Sequence, residues 1–242
     1  MRSPVRSRLP WAAIMALAAG SAQAVSFDAI GLLNQTEFRA FSEDIASAVA
    51  YRPMIPSEGL GITGFDIGVS VGATSVANRG VLSKAAGGAT VDKQQPVVAL
   101  RAVKGLPFDI DIGVVRMALS RTNVEATGGE LRWAFIGGNA LVPAVALRLS
   151  TMSTSGVPGL RLRTHGADLS LSKGFVLFTP YAGAGVVEVR SSLAGTVLKA
   201  ENYRLNKVFA GVNIALTPLA IVVEGDKTGQ ATSYAVKLAV RW

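Results

Sequence analysis

"SYAVKLAVRW" (233–242) alternates without a break. Tyr234, Val236, Leu238, Val240 and Trp242 are apolar or aromatic, and Ala235, Lys237, Ala239 and Arg241 lie between them. Period two over this length is a strand with one apolar face. The strand runs to the last residue and finishes on an aromatic. An edge strand that ends a chain exposes unpaired N–H and C=O groups unless another strand pairs with it.

The same period begins at residue 62. "ITGFDIGVSVGATS" (62–75) sets Phe65, Ile67, Val69, Val71 and Ala73 against Gly64, Asp66, Gly68, Ser70, Gly72 and Thr74. "GELRWAF", "PAVALRLST", "GADLSLSK" and "NKVFAGVNIALT" repeat the pattern. Ten strands are predicted, at 62–75, 95–104, 108–121, 130–137, 143–153, 163–173, 175–190, 202–217, 218–225 and 232–242. In "FDIDIGVVRMALSR" Asp109 and Asp111 start on the polar face. The pattern then slips near Val115, and again near Val186–Val187 in a later strand. A β-bulge or a strand leaving the lipid zone accounts for such a slip.

Alternation fits a soluble sandwich with its apolar face inward, or a membrane barrel with that face outward. The gaps choose. Short ones (105–107, 138–142, 174, 217–218) alternate with longer ones (76–94, 122–129, 154–162, 191–201, 226–231). A barrel with tight turns at one end and loops at the other has this rhythm. The predicted fold is all-β: an antiparallel up-and-down transmembrane barrel of about ten strands over 62–242, preceded by a short amphipathic helix within 25–61.

The remaining composition agrees. Half of the 242 residues are apolar and mean hydropathy is +0.39. Even so, no stretch after residue 24 reaches the roughly 18 apolar residues of a membrane helix. Residues 1–24 read as a signal peptide, with Arg2, Arg6 and Arg8, the apolar "WAAIMALAAG", and Ala22 and Ala24 at the exit. The absence of cysteine excludes disulfides, thiolate metal sites and cysteine nucleophiles. The net charge of +8 is dispersed, which argues against nucleic acid as a partner. In "NQTEFRAFSEDIASAVAY" (34–51), Phe38, Phe41, Ile45, Ala48 and Val49 form one helical stripe; Asn34 or Thr36 caps its start, and Pro53 and Pro56 stop it.

The terminal Tyr234, Val236, Leu238, Val240 and Trp242 resemble the C-terminal signal of bacterial outer-membrane barrels. That resemblance implies recognition by the barrel-assembly machinery, a cell outer-membrane location and outer-membrane lipid around the barrel. The stretch 38–68, "FRAFSEDIASAVAYRPMIPSEGLGITGFDIG", is similar to the start of uncharacterised proteobacterial outer-membrane barrel proteins. It implies fold and place, and no reaction.

Candidate chemistry is sparse. His165 is the only histidine. Asp168 and Ser170 are near it in sequence but opposite in strand parity, so an enzyme is the reading least favoured. "GLGITG" (59–64) has no Lys-Ser/Thr after it and is no phosphate loop. Asp66, Asp109 and Asp111 fit a lumenal ion pair better than a metal site. No cofactor and no metal are expected. By parity Asp66, Arg101, Asp109, Asp111, Glu130, Arg132, Arg148, Asp168, Lys237 and Arg241 point into the lumen. Paired across it, they close the barrel; lining water, they make a charge-selective pore. Inward glycines (Gly64, Gly68, Gly72, Gly113, Gly183, Gly185, Gly211) leave room there. The first expectation for function is a small passive channel for small polar solutes. The alternative is a closed structural or adhesion-type barrel that presents its loops. The helix 36–50 fits either inside the lumen or across its mouth.

Overall fold

The computed structural model describes residues 25–139 and 141–242. The signal-peptide reading of 1–24 lies outside them. Ten strands form one closed antiparallel barrel: β1 (Phe65–Ser75), β2 (Gln94–Gly105), β3 (Ile110–Leu119), β4 (Glu125–Ile136), β5 (Ala144–Ser155), β6 (Leu160–Ser172), β7 (Phe178–Leu193), β8 (Glu201–Leu216), β9 (Leu219–Thr228) and β10 (Ala231–Arg241). Each strand pairs with its sequence neighbour, and β10 closes on β1.

The terminal strand is therefore a seam. Asp66 lies opposite Arg241, and Val69 opposite Leu238. The Phe65 N–H donates to the Trp242 carbonyl at 2.7 Å, and the two rings pack with centroids 4.3 Å apart. Every backbone group of a lipid-facing sheet needs a partner within the protein, and closure supplies it.

The apolar face points outward. Ile67, Val69, Val71, Leu147, Leu149, Leu169, Leu171, Val236, Leu238 and Val240 are all exposed. The rim at the Trp242 end carries Phe108, Trp133, Phe135, Phe175 and Phe178 on its exterior. An apolar band bordered by aromatics is what the bilayer requires of a barrel exterior. Among the described residues no helix is long and apolar enough to cross a membrane.

Two expectations need correction. The loops are not sorted by length. One end has connections 106–109, 137–143, 173–177 and 217–218; the other has 76–93, 120–124, 156–159, 194–200 and 229–230. Only 76–93, which carries helix α2 (Arg79–Ala85), is long. The strands continue through stretches that look like loops, because their outward positions turn polar (Glu125, Arg161, Arg163, Asn202, Lys227) while backbone pairing persists.

The slips in β3 and β7 are not bulges either. Both strands keep a continuous register. Val115, Met117, Leu119, Val187 and Val189 point inward and are buried. What changes along these strands is the lumen. Near the 76–93 end its wall is apolar, and towards the Trp242 end it is charged. Among the described residues the strand register shifts once, in β4 between Trp133 and Ile136.

The candidate functional site: a plugged lumen

The lumen is occupied by the chain itself. Val25 pairs beside Thr122 at the 76–93 end, the loop end. A 3-10 turn (Ile30–Leu32) follows, then helix α1 (Gln35–Val49), then an extended segment reaching β1 at the opposite, turn end. Residues 25–64 thus thread the barrel from mouth to mouth.

The upper half of this plug is seated by apolar contact. Asn34 caps α1 through the Glu37 N–H at 2.9 Å, and the Glu37 carboxylate returns to the Asn34 N–H at 2.8 Å, a reciprocal cap. Phe38, Phe41, Ile45, Ala48 and Val49 are buried against Met117, Leu119, Met152, Leu162, Val187, Val189 and Leu205. Phe27 meets Phe41 edge-on at 5.3 Å. The inward apolar wall exists to take this stripe. The long loop closes over it. Asp44 accepts from the N–H groups of Ala77 (3.0 Å) and Asn78 (2.7 Å), and Lys84 of α2 grips Glu37 at 2.7 Å. Lys84 and the Asn34 N–H hold Glu37 below the usual carboxylate range. Its charge, and this clasp, are present at neutral pH and are lost as pH falls through that lowered pKa.

The lower half is seated by charge. "YRPMIPSEGL" (51–60) has two prolines and no regular structure, so its backbone needs partners from outside. The barrel wall supplies them. Lys207 donates to the Tyr51 carbonyl at 2.7 Å, Arg101 to those of Arg52 and Pro53 at 2.8 Å, and Arg132 to that of Pro56. Glu224 accepts from the Met54 N–H at 2.6 Å, Ser172 from Ser57 and Asp111 from Leu60, both at 3.0 Å. Arg52 reaches the inward side chains of three neighbouring strands, Asp226 (2.8 Å), Thr74 (2.7 Å) and Ser233 (2.8 Å).

The inward charges also pair with each other: Arg132 with Asp111 at 2.6 Å, Arg148 with Glu130 at 2.5 Å, Lys207 with Asp168 at 3.0 Å, and Lys237 with Asp66 at 2.8 Å. Arg241, partly open at the turn end, also reaches Asp66 at 2.7 Å. So Asp66, Arg101, Asp111, Glu130, Arg132, Arg148, Asp168 and Lys237 are buried inside the barrel. Asp109 is not among them. It sits in the turn before β3 at φ 55°, exposed, because the strand starts after it.

Four further charged groups are buried in the lumen: Arg52, Lys207, Glu224 and Asp226. Lys207 shares parity with inward Phe209 and was there to be found. Glu224 and Asp226 follow a run, 219–223, that is apolar on both faces, so no parity is visible. Arg52 sits in a proline-bounded coil.

The glycines do not leave empty space. The Phe209 ring lies over Gly183, so a side chain at 183 would strike its tip. The Tyr181 ring lies over Gly211, 2.6 Å from where a Cβ would stand. The void among Arg52, Met54, Arg101 and Ala235 is only about 10 Å³, about one water. A wider vestibule of about 290 Å³ opens at the turn end, lined by Pro56, Glu58, Leu60, Asn213, Arg241 and Trp242. His165 is exposed on the outer wall, opposite Thr151 and Glu188. Tyr234, Val236, Leu238, Val240 and Trp242 are likewise exposed on the outer wall, along the seam.

No protein-family model matches the sequence, and no curated protein is similar to it. Among solved structures, Neisserial surface protein A is 14% identical (TM-score 0.35), over 74% of this chain and 94% of that one. The β domain of the Bordetella autotransporter BrkA is 12% identical (TM-score 0.36), over 74% and 99%. Ail, the attachment invasion locus protein of Yersinia pestis, is 13% identical (TM-score 0.28), over 74% and 97%. The placing of this chain as an outer-membrane β-barrel rests on its own closed sheet, apolar exterior and aromatic rim.

Proposed function

We propose that the protein is a closed outer-membrane barrel, sealed along its length by residues 25–64, which acts at the cell surface through its loop end. One observation carries this reading: among the described residues the lumenal charges hold the plug's main chain and one another, and the void beside Arg52, Met54 and Arg101 takes about one water. A passive channel for small polar solutes, with weak anion preference from inward Arg and Lys, needs those cations free. Here Arg101, Arg132 and Lys207 hold carbonyls of the plug. External connections are the longer ones in such barrels, so the one long connection, 76–93, puts its end outside and the Trp242 end in the periplasm. Val25 then lies at the external mouth beside the 76–93 loop, so the barrel presents a folded cap of loop and N-terminal segment. We read it as non-enzymatic, with no cofactor.

The test is single-channel conductance of the protein refolded in a planar bilayer. The expected result is silence; discrete steps from the unmodified barrel would overturn the reading. A gated channel is the second reading, favoured by the polar seat of 51–60, whose contacts water can replace. A cysteine pair separates the two. Ser42 and Ser191 hydroxyls are 2.8 Å apart, and those of Ser57 and Ser170 are 2.9 Å apart. Each Ser→Cys pair should oxidise to a disulfide in membranes, visible as a gel shift, since the chain has no other cysteine. If the barrel conducts and oxidised S57C/S170C stops it, gating by the plug is the correct account.

A further inference from the structure

The outer wall of the barrel is bordered differently at its two ends. The turn-end rim is aromatic. On β6, β7 and β8 the loop-end border is basic. Along β6 the outward residues run Leu171, Leu169, Ala167, His165, Arg163, Arg161, changing from apolar to cationic in the space of two positions. Arg163 lies directly opposite Arg190 on β7, and Glu188 lies between His165 of β6 and Arg204 of β8.

The cluster is unbalanced. Glu188 is shared by Arg190 at 2.7 Å and Arg204 at 4.0 Å. Among the described residues no carboxylate lies within ion-pair distance of Arg161 or Arg163. On another side of the same end two outer arginines have acids of their own: Arg116 with Glu125 at 2.8 Å, and Arg121 with Asp92 at 2.6 Å. Like charges directly opposite on a sheet destabilise it. Arg190 is held by Glu188 on its own strand, so the charges left without a partner are Arg161 and Arg163, neighbours on the outer face of β6 whose side chains are exposed and free to fork around an anion.

We propose that Arg161, Arg163, Arg190 and Arg204 bind the phosphate of an outer-leaflet lipid headgroup. Guanidinium groups hold phosphate bidentately, and two arginines side by side match a doubly charged anion. The source is lipid because of where the cluster sits. It starts two outward positions above Ala167, Val186 and Val208, where the apolar belt ends on these three strands. A lipid whose chains lie along that belt delivers its headgroup to this height, whereas a free phosphate gains nothing from the belt. The inference depends on the membrane placement and not on whether the plug opens.

The experiment uses the full chain in zwitterionic detergent micelles and follows urea unfolding of the folded gel band. The probes are bisphosphorylated lipid A, its dephosphorylated form and inorganic phosphate. Bisphosphorylated lipid A should raise the midpoint of the unmodified barrel, and the dephosphorylated form should not. R163Q/R190Q should weaken the apparent lipid A affinity about tenfold or more, while R116Q/R121Q leaves it unchanged. Without lipid A, R163Q alone should unfold no earlier than the unmodified barrel, because it relieves the facing pair. Equal response to both lipid A forms overturns the proposal, even if the double variant fails to assemble. So does an unchanged affinity in R163Q/R190Q. Inorganic phosphate acting as strongly as lipid A would overturn the lipid source.

Discussion

Asp66→Ala will destabilise the closed barrel by about 3–5 kcal/mol, the cost of leaving a buried cation without its partner. Asp66 is fully buried and holds two cations from the facing strand, Lys237 at 2.8 Å and Arg241 at 2.7 Å. Arg241 is partly open and has Asn213 at 3.0 Å as a second partner, so it can rehydrate. Lys237 is fully buried and has no such escape. The pair lies across the β1–β10 seam, the pairing that closes the sheet into a barrel. The loss therefore falls on closure itself. The measurement is the urea midpoint of the folded gel band. D66L/K237M should recover most of the loss, because a buried pair replaced by apolar groups of similar size is close to neutral. If D66A unfolds with the unmodified barrel, Lys237 finds water in the lumen and the packing described here is too tight.

Truncating Trp242 or replacing it with Asp attacks the same seam from outside. The indole packs on the Phe65 ring at a tilt of 53°, and the two main chains exchange hydrogen bonds of 2.7 and 3.2 Å. Assembly into outer membranes should fail. Normal heat-modifiable barrel from W242D would sink the reading of the terminal strand as an assembly signal.

How much of this was legible follows from what each residue faces. Outward positions face one solvent, lipid, so period two was clear wherever the belt is, and the strand count and fold class followed. Inward positions face the chain's own N-terminal segment, which is apolar at α1 and polar at 51–60. Strands β3 and β7 pass from one zone to the other. Val115 and Val187 therefore look like a broken period when the backbone is regular. Read with α1 in view, the change is the imprint of the helix: apolar wall where Phe38, Phe41 and Ile45 pack, charged wall where the prolines end the helix. The plug's position was open from sequence because an amphipathic stripe says that a helix lies on something apolar, not on which surface. Arg52 was hidden for a related reason. A cation in a coil has no periodicity to give its direction.

The plug's two seats are of unequal strength, and a second substitution tests that. Phe38, Phe41 and Ile45 are fully or almost fully buried. Burying each is worth about 1.5–3 kcal/mol. Arg52→Ala removes contacts to Asp226, Thr74 and Ser233 and leaves Asp226 buried, at a cost of about 3–5 kcal/mol. The apolar seat outweighs that, so R52A should loosen 50–57 while α1 stays. Phe41→Asp acts on the stronger seat. It forfeits the ring's burial and its contact with Phe27, and sets a carboxylate in the buried apolar cluster to which Met117, Leu119 and Val189 belong, costing several kcal/mol more. The sheet closes through its own hydrogen bonds, so F41D should still give a folded, heat-modifiable barrel. The helix should leave its place. With Ser42→Cys as reporter, buried beside Ser191, a membrane-impermeant maleimide should label the F41D background and spare both the unmodified plug and R52A. If S42C is spared in F41D as well, the charged seat holds the plug alone, and the order of the two seats argued here is reversed.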